Sequence, residues 1–214
     1  QTLVWQQDLS VADVALIDVM VHPTPGFDTR AAGTVLRGHF RTVAFDKLRT
    51  EEQLAYAGGG MATSIGDYTG FAMFIQTPVK DVAAMQARFD EFKTQYKVAL
   101  DALTEEEFAK LKTSALVSLK EAPKNMRDEV VPFISDWYRE KYDFDSEQKL
   151  IAEVEKVTLE DVKAFYQQTM LNDNAARISV KLRGTSFVEQ PFADIKGATK
   201  VEDLAGFHES MKKQ

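Results

Sequence analysis

The chain has no cysteine among its 214 residues. That one absence removes disulfide frameworks, thiolate zinc sites and cysteine nucleophiles together. Histidine is nearly as scarce, with only His22, His39 and His208 present. The residues three and four places after His39 are Thr42 and Val43, so no second imidazole and no carboxylate share its helical face as a zinc motif requires. No catalytic residue and no metal ligand are therefore assigned within this segment. No apolar run approaches the roughly 18 to 20 residues of a membrane helix, so no membrane span is expected. Lys and Arg are not clustered and the formal charge is −7, which argues against nucleic acid as a partner, because phosphate neutralisation needs grouped cations. Gln1 stands where an initiator Met would. A strand-like start with no signal peptide is expected of a piece of a longer protein.

What is present is ordinary for a globular domain: 44% of residues are hydrophobic and 28% charged, enough to bury a substantial core. Thr2 to Asp8 reads as a strand, and residues 15–22 alternate as a second, the two being able to pair directly. His22-Pro-Thr-Pro-Gly26 breaks the pattern. Ala32, Leu36, Phe40, Val43 and Leu48 then recur at helical spacing. Leu54 to Ala62 and Tyr68 to Thr77 read as strands joined through the turn Ser64-Ile-Gly-Asp67. From Lys80 the period becomes 3.6, with Val82, Met85, Phe89, Phe92, Tyr96 and Leu100 on one stripe.

Thr104-Glu-Glu-Glu107 is a capping box that opens the next helix. Another helix is expected from Asn125 to Lys141, kinked or split at Pro132. Ser146 is expected to cap a short helix, and Thr158-Leu-Glu-Asp161 opens the last one. Ile178, Val180 and Leu182 alternate as a final strand. The acidic pairs at Glu51-Glu52 and Glu105 to Glu107 are read as helix-start residues placed by the macrodipole rather than as acid/base machinery. Strands segregated from a run of helices predict an α+β fold, a mostly antiparallel sheet of about five strands with helices packed against it. Residues 1–183 are expected to form one domain and 184–214 a C-terminal tail.

Two local features invite function. Gly58-Gly59-Gly60 lacks the Gly-Lys-Ser/Thr of a phosphate loop and precedes a strand. It marks either a bulge or a place where another backbone approaches, in the second case an edge strand that an extended peptide could join. The other feature is Phe45 to Tyr56, a polar corner that sets Arg49 and Tyr56 seven residues apart.

Within that corner, Leu48-Arg-Thr-Glu-Glu-Gln-Leu-Ala-Tyr56 resembles the Leu-Arg-Thr-x-Glu-Gln-Leu-Gly-Tyr signature of the pitrilysin and insulin-degrading enzyme (insulinase) family of zinc metallopeptidases. The likeness extends through Gly70-Phe-Ala-Met-Phe-Ile-Gln76, Leu119-Lys-Glu-Ala-Pro-Lys124, Tyr142-Asp-Phe-Asp-Ser146 and Val157-Thr-Leu-Glu-Asp161. It implies the last of four homologous domains, with the metallopeptidase and processing-peptidase type of fold. It also implies a non-catalytic role inside a zinc-dependent metalloendopeptidase that hydrolyses peptides in a closed chamber. The zinc ligands would lie on the first domain, outside this chain, and the chain alone would be inactive.

The implied partners are peptide substrates and the N-terminal catalytic half of the same protein, and the implied compartment is the periplasm. The residues carried over are Arg49 and Tyr56 as substrate contacts. Ala55, before Tyr56, departs from the family's glycine and lacks its freedom at positive φ. The alternative is a catalytically inactive scaffold subunit of the same fold that pairs with an active peptidase.

Overall fold

The computed structural model of the chain describes residues 1–54 and 56–212. Fifteen elements follow one another along these residues. Strands β1 (Thr2–Asp8) and β2 (Val14–Val21) lead into helix α1 (Phe27–Phe45), which runs on as a π-helical turn, Asp46–Glu51. The hairpin β3 (Ala57–Ile65) and β4 (Tyr68–Thr77) comes next. The helices α2 (Val82–Asp101), α3 (Glu105–Leu119), α4 (Met126–Tyr138), α5 (Ser146–Lys156) and α6 (Leu159–Met170) follow. The chain closes with β5 (Ala176–Arg183), a short 3-10 turn, β6 (Thr199–Val201) and α7 (Leu204–Met211).

The sheet has six strands in the order β3-β4-β2-β5-β1-β6, where about five were expected. Three of its neighbour pairs are antiparallel, β3/β4, β4/β2 and β2/β5, and the two that involve β1 are parallel. The α+β class is thus borne out. The direct pairing of β1 with β2 is not, because β5 inserts between them, with Val4 opposite Ser179 and Asp18 opposite the same residue. A charge explains the insertion. Asp18 faces the helices and is fully buried, and β5 brings Arg177 to its Oδ2, which also accepts from Gln86 of α2. A buried carboxylate without such partners would cost several kcal/mol. The segment after Gly184, expected to be a weakly patterned tail, supplies the sixth strand.

One core lies between the sheet and the helices. Leu16 and Met20 of β2 and Phe71, Met73 and Ile75 of β4 face Leu36 and Phe40 of α1, the Phe89–Tyr96 stripe of α2, and Phe165 and Tyr166 of α6. Both capping boxes form as expected, Thr104 with Glu107 and Thr158 with Asp161. Asp145, not Ser146, occupies the cap position of α5. Helix α4 runs through Pro132 as one element instead of splitting. It sits on the surface, so the carbonyl of Asp128 that Pro132 leaves without a donor reaches water. No helix of the described residues is long and apolar enough to cross a membrane.

Candidate functional site

The corner after α1 is built from its anchors outward. Leu48 and Leu54 are buried in the core, and between them the backbone widens into a π-type turn, with the N–H of Glu52 donating to the carbonyl of Lys47 (3.2 Å) and that of Leu54 to Leu48 (3.3 Å). Gln53 takes a left-handed conformation, φ 50°. Single π-type turns inside helices recur at functional positions because they aim side chains that a regular helix would rotate away. The chain expected as a plain helix end and a strand from Leu54 is therefore a reinforced bend, and β3 begins only at Ala57.

Glu52 braces this bend to α2. Its carboxylate accepts two bonds from Arg88, 2.7 Å from Nε and 2.5 Å from a terminal nitrogen, a bidentate geometry that fixes direction as well as distance. The Arg88 guanidinium holds the Glu52 carboxyl below the usual glutamate range, and Glu52 in turn raises Arg88. Glu52 is thus a structural strut, not the helix-start acid that its sequence position suggested. The pairing spans 36 residues, and no local spacing could have revealed it.

Both predicted contact residues project from the braced bend. Arg49 is exposed on the π-helical turn, with its guanidinium 4.9 Å from the centre of the Phe45 ring. That i to i+4 spacing from Phe45 was legible in the sequence, although its use was not. Tyr56 is 71% exposed immediately before β3. Among the described residues neither side chain is joined to the other or to a third group by a hydrogen bond or ion pair. Among the described residues Arg49 thus keeps all its donors, and Tyr56 its hydroxyl, without a partner. Ala55 lies outside the described residues. Clefts among the described residues lie away from the bend, one of about 600 Å3 between Met20, Lys93, Arg177 and Ile195.

The histidines are scattered. His22 stacks on Phe165 at 5.5 Å, His39 bonds the Tyr96 hydroxyl at 2.7 Å, and His208 lies on α7. Burial lowers the His39 pKa, keeping the ring neutral. Among the described residues no three His, Asp or Glu side chains come together as a metal site. These residues do not fit a zinc centre, and no chemistry of this chain is routed through one.

The triple glycine shows neither a bulge nor an approaching peptide. The β3/β4 register continues unbroken from Ala57 opposite Gln76 to Ile65 opposite Tyr68, so there is no bulge. What approaches Gly58–Gly60 is α1. A Cβ on Gly60 would sit 2.4 Å from the Phe40 ring, and Gly59, at φ 153°, lies against Phe45.

The fold is similar to those of solved pitrilysin and M16-like peptidase structures. Residues 35–134 match the family described as PQQ synthase PqqF-like, C-terminal lobe domain 4. The fold superposes on the crystal structure of pitrilysin with a TM-score of 0.86 over 98% of this chain and 22% of that one, at 22% identity. In sequence the chain is 25% identical to Protease 3 of Escherichia coli O157:H7 over 214 residues, covering 99% of itself and 22% of that protein. It is also 25% identical to human insulin-degrading enzyme over 138 residues, 64% of this chain and 13% of the relative. The chain is therefore homologous to the C-terminal part of the pitrilysin-type peptidases, as its signature indicated, and it spans about a fifth of the length of Protease 3.

Proposed function

We propose that this chain is the non-catalytic C-terminal segment of a zinc-dependent metalloendopeptidase, forming part of the wall of a peptide-holding chamber and presenting Arg49 and Tyr56 to the substrate. The observation that carries the reading is the bend itself. Two donor side chains of the resembling signature stand exposed and, among the described residues, unpaired on a backbone pinned by Leu48, Leu54 and the Glu52–Arg88 pair.

A guanidinium offers permanently charged planar donors and a phenol one directional donor. Donors held in place beforehand and aimed at a substrate carbonyl stabilise the charge that develops on its oxygen during peptide hydrolysis. The reading assigns the surface opposite the bend to the N-terminal catalytic half carrying the zinc ligands. We propose a periplasmic location for the complete protein as part of the same reading, and cell fractionation tests it.

The deciding experiment uses the complete enzyme. Arg49→Ala and Tyr56→Phe are expected to lower turnover of a peptide substrate with zinc content unchanged. Unchanged turnover, or loss of zinc, would overturn the assignment. Cleavage by the 214-residue chain alone would overturn its non-catalytic role.

A further inference from the structure

Strand β3 is the outermost strand of the sheet, and only part of it is covered. Gly58–Gly60 are buried under the end of α1, whereas Met61, Ala62, Ser64 and Ile65 are exposed. Ile65 and Tyr68 flank the two-residue loop Gly66-Asp67, with Gly66 at φ 57°. In such a hairpin the flanking pair is hydrogen-bonded, and the alternation of antiparallel ladders puts Thr63 and Met61 in the same class. The N–H and C=O groups of Ala62 and Ser64 then point away from β4. Among the described residues no backbone group outside the sheet bonds to them.

Natural sheets blunt such edges with charge, proline, a bulge or brevity. Residues 57–65, Ala-Gly-Gly-Gly-Met-Ala-Thr-Ser-Ile, contain no charge and no proline, and the ladder has no bulge. On the open face of the sheet, Met61 (48% exposed), Ile65 (45%) and Tyr68 (42%) make a row of apolar side chains beside the free edge.

We infer that Met61–Ile65 binds an extended peptide by strand addition: the backbone groups of Ala62 and Ser64 pair with the peptide main chain, and Met61, Ile65 and Tyr68 contact its alternate side chains. The occupant is an uncharged, proline-free peptide segment, because main-chain pairing and apolar neighbours are on offer, while the nearby cations Arg139, which also donates to the Ser64 hydroxyl, and Lys141 are already paired with Asp67. The same strand begins next to Tyr56. At about 3.4 Å per residue, Met61 lies some 17 Å from it, within reach of an extended substrate held at both places. The inference rests on the peptide-binding reading for its ligand class.

The test follows amide hydrogen exchange in the 15N-labelled chain as a soluble probe is added. The probe is a capped heptapeptide alternating Val and Thr between terminal lysines, with a counterpart carrying proline at every second position as control. The amides of Ala62 and Ser64 are expected to exchange about tenfold more slowly at saturating probe, the range of one added hydrogen bond, and to be unaffected by the control. Ala62→Pro removes an outward N–H without touching the β4 ladder and is expected to abolish binding. Should that variant fold poorly, Met61→Lys with Ile65→Lys keeps the backbone and is expected to weaken binding about tenfold by removing the apolar row.

Unchanged exchange at Ala62 and Ser64, or equal protection by the proline control, would overturn the inference. So would protection without any peptide, through self-association of this chain or in the complete protein, since the edge would then already have an occupant. Binding is read here without turnover. A failure at this edge therefore leaves the Arg49 and Tyr56 assignment standing, and unchanged turnover of Arg49→Ala leaves the edge standing.

Discussion

The two edges of the sheet differ: one is blunted and the other is left partly open. At one end β6 has three residues, Thr199–Val201. Its Lys200 is exposed beside Glu202, and α7 begins three residues after the strand ends. Shortness and charge make it a poor template for a further strand. At the other end β3 is nine residues long and uncharged, covered over Gly58–Gly60 by the packing of α1 and touched over Met61–Ile65 by the Arg139 guanidinium, which donates to the Ser64 hydroxyl at 3.3 Å and leaves the edge backbone open. The open edge adjoins the bend bearing Arg49 and Tyr56, which is what makes it the candidate for strand addition.

That contrast can be tested from several sides. The largest effect is expected where the β3 end meets substrate. Arg49→Ala in the complete enzyme should reduce turnover by about a hundredfold or more, the cost of one oxyanion donor being about 2.7 to 4 kcal/mol, as measured by steady-state kinetics. Next comes the covered part of the edge. Gly60→Val places a side chain into the Phe40 ring, whose nearest carbon is 2.4 Å from a built Cβ, and should destabilise the fold by about 1 to 3 kcal/mol in denaturant unfolding.

Arg88→Ala should cost about 1 kcal/mol, a value discounted because Glu52 is partly exposed. The sign of its pH dependence follows from the Glu52 carboxyl being held below its ordinary value of 4.5. Its contribution is present above that value and is lost as pH falls through the lowered folded-state value. The gap between Arg88→Ala and the unaltered chain should therefore be full at neutral pH and shrink in acid below about pH 4.5. The smallest effect belongs to the blunted edge. Lys200→Ala should change stability by no more than about 0.5 kcal/mol and leave the sedimentation behaviour unchanged, because the brevity of β6 remains.

Much of the fold was legible because its signals are local. Periods of two and 3.6 located β1 to β5 and the helices up to α6, and hydroxyl-to-acid spacing located both capping boxes. β6 escaped because three residues are too few for alternation to show. The brace between Glu52 and Arg88 escaped because its partners lie on different elements, and Glu52 in isolation is indistinguishable from a helix-start acid. Within the site, Arg49 and Tyr56 were legible only through the signature around them. Their residue types alone carry no mark of exposure or direction.

By itself the sequence determined the elements, their caps, the corner between Phe45 and Tyr56 and the absence of a metal-binding helix motif, since each rests on neighbours within a few positions. The tertiary structure alone decided which strands meet. Asp18 can face the core only because Arg177 comes to it from 159 residues away, which sets β5 between β1 and β2. Gly60 is glycine because Phe40 occupies the space a side chain would take. The open edge at Met61–Ile65 exists only once the order of the sheet is known, because an edge is a property of what lies beside a strand.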